Sequence, residues 1–228
     1  MKQTPTPHPA DRGQHPSRRT LLLTALAAAT MVPLAACKGK APKARAVPAG
    51  ATVLALGDSL TSGVGATPDT AYPAQLAQLT GWNVVNAGVS GHTSAQAQER
   101  LAALLSQHSP ALVIVSIGGN DFLRRQSAAD TRANVRRICS EALSSGAQVL
   151  LVAVPELSLL AAAGRLSDHA MYEEIAGELK IPLHRNGWAS VLADDRLRAD
   201  TVHANAAGYS AFAQGLLGTL KDTGLFAG

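Results

Sequence analysis

Apolar residues in this chain fall into short unbroken runs, separated by stretches in which they recur every three or four positions. Four runs read as strands: residues 52–56, stopped by Gly57; 82–86, introduced by Gly81; 111–117, after Pro110; and 148–154, closed by Pro155. Each is apolar at successive positions, the pattern of a strand covered on both faces. Between them the helical period marks windows at about 71–80, 93–107, 131–145, 168–180 and 205–220, and residues 182–185 offer a fifth, short strand. Strand and helix alternate, which favours right-handed crossovers and an α/β class fold: a mostly parallel sheet of about five strands with helices on both sides.

The first 36 residues follow a different rule. An apolar, Ala-rich run from 20 to 36 is only 17 residues long, is broken by Thr24, Thr30 and Pro33, and follows Ser17, Arg18 and Arg19. A spanning helix needs about 20 apolar residues, so the run reads as an export signal. The arginine pair resembles the twin-arginine signal of bacteria. The run closes on Leu34-Ala-Ala-Cys37, similar to a bacterial lipobox, which makes Cys37 the expected point of lipid attachment. Several acyl chains, at about 0.8 kcal/mol per buried CH₂, hold a protein at a membrane durably. Residues 37–50, rich in Ala, Pro and Lys, read as a flexible tether, and residues 51–228 as the enzyme-sized domain. The protein is therefore expected in the cell envelope, facing the periplasm or the exterior.

Composition supports a well-filled core, with 46% hydrophobic and 16% charged residues. The formal charge of +4 would suggest an anionic partner, but eight of the 20 basic residues and only one of the 16 acidic ones precede Val47. The remainder is mildly acidic, so no nucleic-acid partner is expected. With Cys37 lipidated, Cys139 has no disulfide partner. Its setting among Val135, Ile138, Ala142 and Leu143, at helical spacing, marks a packed, inert thiol.

In a parallel sheet, ligands bind beyond the carboxyl ends of the strands. Those positions hold Gly57-Asp58-Ser59-Leu60, then Ser90-Gly91, then Gly118-Gly119-Asn120-Asp121, while Asp200 and His203 precede the last helix. Ser59, at a strand-to-helix turn, is a candidate nucleophile, but a serine hydroxyl needs a base to take its proton. His203 can serve as that base, and Asp200, three residues earlier, can reach the ring nitrogen facing away from Ser59. The N–H groups of Ser59 and Gly91 and the side-chain amide of Asn120 are candidate donors to an oxyanion. Taken singly, these residues are ordinary caps, turn residues and surface groups; together they make one site.

These four blocks, in this order, resemble the SGNH hydrolases, or GDSL esterases and lipases, over about residues 52–220. Residues 84–94 and Ile117-Gly-Gly-Asn-Asp121 are most similar to the bacterial branch of thioesterase I, lysophospholipase L1 and arylesterase-like enzymes. The resemblance implies a three-layer α/β/α, flavodoxin-like fold and a catalytic triad of Ser59, His203 and Asp200. It further implies oxyanion donors at Ser59, Gly91 and Asn120, and cleavage of carboxylic esters, thioesters or lysophospholipids through an acyl-enzyme. Neither cofactor nor metal is implied, and a monomer is expected. Family members often carry Pro after the histidine, where this chain has Ala204; Asn205 can still cap the last helix.

The chain lacks G-x-S-x-G, phosphate-loop, dinucleotide and metal-ligand motifs. The rival readings are an enzyme deacylating envelope carbohydrate, a metal-dependent phosphoesterase, and a lipoprotein that only binds. Asp58 and Asp121 are expected to brace loops, and His92 to sit exposed at a helix start. His108, His169 and His184 have no evident partner. Residues 156–165 are read evenly as an apolar lip over the cleft or as a surface helix.

Overall fold

The structure, a computed structural model, describes residues 44–156 and 166–228. Five strands make one parallel sheet in the order β2-β1-β3-β4-β5: β1 Thr52–Gly57, β2 Asn83–Gly88, β3 Leu112–Ser116, β4 Gln148–Val152 and β5 Leu183–His184. Parallel neighbours need crossovers, and helices supply them. Helices α3 (Ser94–His108), α5 (Ala128–Ser144) and α6 (Met171–Leu179) pack together in one layer. In the other lie α2 (Tyr72–Thr80), α7 (Gly187–Ala193) and α8 (Ala206–Asp222). This strand order reverses direction between β1 and β3, and the crevice at that reversal is where such sheets take ligands.

The apolar runs become the core for a simple reason: with helices on both sides, every side chain of a central strand is removed from water. Val53, Leu54, Leu56, Val113, Ile114 and Val115 are all fully buried. β2 departs from the expected pattern. It is an edge strand whose Asn83 and Asn86 are exposed, so it is not covered on both faces as its apolar run suggested.

A short helix at the carboxyl end of β3, α4 (Gly119–Leu123), and the seven-residue α7 were not expected, whereas α1 (Ser59–Ser62) is the helix that the strand-to-helix turn at Ser59 implied. One or two turns hold too few residues to display a 3.6-residue period. The helix expected from 168 starts instead at Met171, because Asp168 pairs with Pro155 and the His169 N–H bonds the Val154 carbonyl.

Packing also begins earlier than residue 51. The Val47 side chain is buried, its N–H donates to Leu225 O at 2.8 Å, and Trp82 Nε1 donates to Val47 O at 3.1 Å. Arg45 exchanges two 2.7 Å bonds with the Gln148 side chain. Residues 45–50 thus belong to the domain rather than to a flexible tether. Residues 1–43, with the export segment and Cys37, and residues 157–165, most of the expected lip, lie outside the described residues. Cys139 is fully buried, and burial pushes its thiol up to about 12, as an inert core thiol requires.

Candidate active site

The site is assembled from loops that leave the carboxyl ends of β1, β2 and β3 and from the segment before α8. Asp58 ends the extended run of β1 and caps α1: its Oδ1 accepts from the Leu60 N–H at 3.0 Å, leaving Ser59 as the first helical residue. A first helical residue has no intrahelical acceptor for its N–H, so that donor remains available. The Ser59 hydroxyl lies 3.0 Å from His203 Nε2. On the far side of the ring, His203 Nδ1 lies 2.8 Å from Asp200 Oδ2.

Asp200 holds backbone as well as ring. Its Oδ1 accepts from the N–H groups of Val202 and His203, both at 2.8 Å, which folds residues 200–203 into a tight turn. Partial burial pulls the Asp200 carboxyl upward, but the bonds from the His203 ring and from these two N–H groups outweigh it and leave it below the usual carboxylate range. Ala204, at the position where the resemblance led to an expectation of proline, is fully buried and pairs with Arg198 across an antiparallel bridge. Asn205 caps α8 by accepting from the Gly208 N–H at 3.0 Å, and its amide donates to the Arg196 and Arg198 carbonyls. Hydrogen bonds thus supply the stiffness that a ring would have given.

Gly91 and Asn120 face the same cleft, a space of about 160 Å³ that also touches Ser59, His203, Leu123 and Val154. A larger open groove of about 940 Å³ lies at the opposite end of the strands, near Arg45, Gln148 and Lys180, and contains none of these residues. Asn120 Nδ2 donates to His92 O at 3.1 Å, which orients the amide and leaves its second N–H unspent on that carbonyl. Gly118, two residues before Asn120, has φ +121°, and a side chain there would meet the Tyr172 hydroxyl, so the β3–α4 turn needs glycine.

Both neighbouring aspartates brace the loops. Asp121 is fully buried and accepts from the Ser94 N–H at 2.8 Å and from the Ser94 hydroxyl, tying α4 to the start of α3. Asp58 is buried beside the site, and burial pushes its carboxyl up to about 6, against the opposing pull of the Leu60 N–H and of His203. A carboxyl raised above its ordinary 3.8 binds its proton more tightly in the native state than in the unfolded one. Its contribution to stability is therefore greatest below the ordinary value and is lost as pH rises through about 6. Asp58→Asn keeps an acceptor for Leu60 and removes the buried charge. We expect it to gain about 2–3 kcal/mol over the parent in urea unfolding at pH 8 and almost nothing at pH 4. Equal differences at the two pH values would contradict this.

Several residues escaped the sequence reading. Arg100 donates to Ala87 O at 2.6 Å and Gly57 O at 2.8 Å, joining the ends of β1 and β2 beneath the site. Arg124 donates to Gly91 O at 2.8 Å. His169 stacks on Phe122 with centroids 4.8 Å apart, and His184 Nδ1 lies 2.8 Å from the Thr219 hydroxyl. His92 is half-buried rather than exposed. Nothing in the local sequence marks these pairs, because each joins segments far apart along the chain.

Comparison with known proteins gives a consistent picture. The chain is 39% identical over 139 residues to thioesterase 1/protease 1/lysophospholipase L1 of Escherichia coli, an alignment covering 58% of this chain and 64% of that protein. It is 37% identical over 108 residues to esterase TesA of Pseudomonas aeruginosa, covering 45% of this chain and 54% of that one. The matches thus span less than two thirds of the length of these curated relatives. A crystal structure of TesA superposes with a TM-score of 0.67 at 30% identity, over 75% of this chain and 99% of that chain. A family profile matches residues 55–211, and with it the strands and loops that hold Ser59, Gly91, Asn120, Asp200 and His203. The chain belongs to the GDSL-like lipase/acylhydrolase family.

Proposed function

We propose that this protein hydrolyses carboxylic esters, thioesters included, through a covalent acyl-enzyme on Ser59. One observation carries the reading: an unbroken line of hydrogen bonds, 2.8 Å from Asp200 to His203 and 3.0 Å from His203 to Ser59, opening into a cleft beside Gly91 and Asn120. In the first half-reaction the Ser59 oxygen attacks the ester carbonyl while His203 Nε2 takes the hydroxyl proton. Asp200 stabilises the imidazolium, and the N–H groups of Ser59, Gly91 and the Asn120 amide receive the negative charge on the former carbonyl oxygen. His203 then returns the proton to the leaving alkoxide or thiolate. In the second half-reaction water replaces the alcohol, and the same proton path in reverse frees the acid and Ser59. The names of the relatives, thioesterase 1/protease 1/lysophospholipase L1 and esterase, support acyl transfer to water.

The described part of the cleft, at about 160 Å³, holds about five groups the size of a water molecule, and its walls at Leu60, Leu123 and Val154 are apolar. That favours a short acyl chain. The decisive experiment measures phenolate release from aryl esters from acetyl to octanoyl; turnover should peak at the short end and depend on Ser59. No turnover across the series would overturn the reading.

The same proposal places the enzyme at a membrane, exported and lipid-anchored through Cys37. This rests on the Arg18-Arg19 pair, the short apolar run and Leu34-Ala-Ala-Cys37. Mass spectrometry of the mature N-terminus should find a lipid-bearing Cys37, and an unmodified or uncleaved start would refute the anchor.

A further inference from the structure

The Gly91 donor sits in a turn whose geometry determines where its N–H points. The His92 N–H donates to Val89 O at 3.1 Å, closing a four-residue turn with Ser90 and Gly91 at its centre. Gly91 has φ +80°, whereas Ser90 is not among the positive-φ residues, and this combination is the type II turn. Types I and II differ by a flip of the central peptide, here the one joining Ser90 to Gly91. In the flipped form the Gly91 N–H turns to the opposite side and the Ser90 carbonyl oxygen takes its place, so a donor becomes an acceptor. Glycine permits both forms, because it has no side chain to bias φ. Something outside the turn must therefore hold it.

α4 and the residue that caps its C-terminus each reach the turn. Asn120 Nδ2 grips His92 O at 3.1 Å, and four residues on, just past the helix, the Arg124 guanidinium grips Gly91 O at 2.8 Å. The Arg124 N–H in turn bonds the Asn120 carbonyl at 3.0 Å, so both grips share one rigid support. With the Gly91 carbonyl fixed by Arg124 and its φ fixed by the turn, the direction of the Gly91 N–H has little freedom left. The guanidinium also brings a positive charge beside a donor that must stabilise an anion: a Cβ built on Gly91 would stand 3.6 Å from Arg124 Nη2.

We infer that Arg124 is a positioning residue for the oxyanion hole, acting through the Gly91 peptide and not by touching substrate. The inference rests on the ester-hydrolase reading of the site. Arg124 is exposed, so its replacement leaves the fold intact. In the aryl ester assay, Arg124→Ala should lower kcat about 10-fold, less than the loss of a whole donor, and leave KM within about twofold. Arg124→Lys should recover part of that loss, and millimolar guanidinium added to Arg124→Ala should recover part as well, which a merely structural role would not produce. Arg125→Gln, on the exposed neighbour, is the control and should match the parent.

Unchanged kcat in Arg124→Ala would overturn the inference. So would a raised KM at parental kcat, the mark of direct substrate contact, or a loss that neither lysine nor guanidinium repairs. Asn120→Ala in the same assay separates the two levels of the argument. If it loses about 10² in kcat while Arg124→Ala loses nothing, only the positioning role fails; if both keep the parental rate, the ester-hydrolase reading fails with it.

Discussion

Ser59→Ala should lower kcat on a short-chain aryl ester by about 10⁴ to 10⁶, with the melting transition of the fold unchanged. That loss corresponds to about 5–8 kcal/mol of transition-state stabilisation, far more than one hydrogen bond contributes to stability. The contrast makes the prediction diagnostic. The substitution removes a single oxygen from a half-buried position, and α1 survives because Asp58 still caps it through Leu60. The contact from the Ser62 hydroxyl to residue 59 also survives, since it ends on the backbone carbonyl. What disappears is the hydroxyl oxygen 3.0 Å from His203 Nε2, the atom proposed to form the acyl bond. The residual rate would come from the oxyanion donors and from His203 acting on water, as in other hydrolases stripped of their nucleophile. A variant that keeps more than a tenth of the parental rate would show that the acyl group is not carried by Ser59.

The residues to which this chemistry is assigned could be read from the sequence for a physical reason. Each lies at a place the chain itself marks: after an apolar run that stops at glycine, or just before a helix with an asparagine cap. Sheet topology then does the rest, since parallel strands present all their carboxyl ends on one side. Ser59, Gly91 and Asn120 follow three different strands and meet without any local signal that they should. The long helices α3, α5 and α8 were equally plain, because three or more turns display a full apolar stripe. What the sequence did not show was how the loops are held: Arg100 across β1 and β2, Asp121 on Ser94, and Arg124 on Gly91. These are polar side chains finding backbone groups or partners 13 to 43 residues away. A charged residue looks the same in a sequence whether its side chain is solvated or fastened to a distant group. The edge position of β2 was hidden for a related reason: an apolar run shows that a strand is partly buried but not how many neighbours it has.

Asp200→Asn carries the second large effect, and its size depends on which end of the carboxylate does which task. Oδ1 accepts two backbone N–H groups, from Val202 and His203, while Oδ2 faces His203 Nδ1. In the asparagine variant the carbonyl oxygen must stay at the Oδ1 position, because an NH₂ there would point donors at donors. The amide nitrogen is thereby forced toward Nδ1, which must then accept a hydrogen bond and lose its proton. The neutral ring so fixed carries its proton on Nε2, facing Ser59, and cannot take another from the hydroxyl. The variant therefore keeps the turn, the hydrogen-bond count and the substrate cleft but holds the base in the wrong tautomer. In a fully buried triad this exchange costs about 10⁴ in kcat. Here the Asp200 side chain is 53% exposed, so water can compete for Nδ1 and let part of the population recover the working tautomer. A loss of about 10³ in kcat with KM nearly unchanged is the expected outcome. Asp200→Ala provides the comparison, since it removes the misdirecting amide and leaves Nδ1 to solvent. If tautomer control is the mechanism, alanine should be less harmful to kcat than asparagine, although it gives up both backbone bonds of the turn. Should alanine prove the worse of the two, the main task of Asp200 would be to hold the 200–203 turn in place, and the tautomer account would fall.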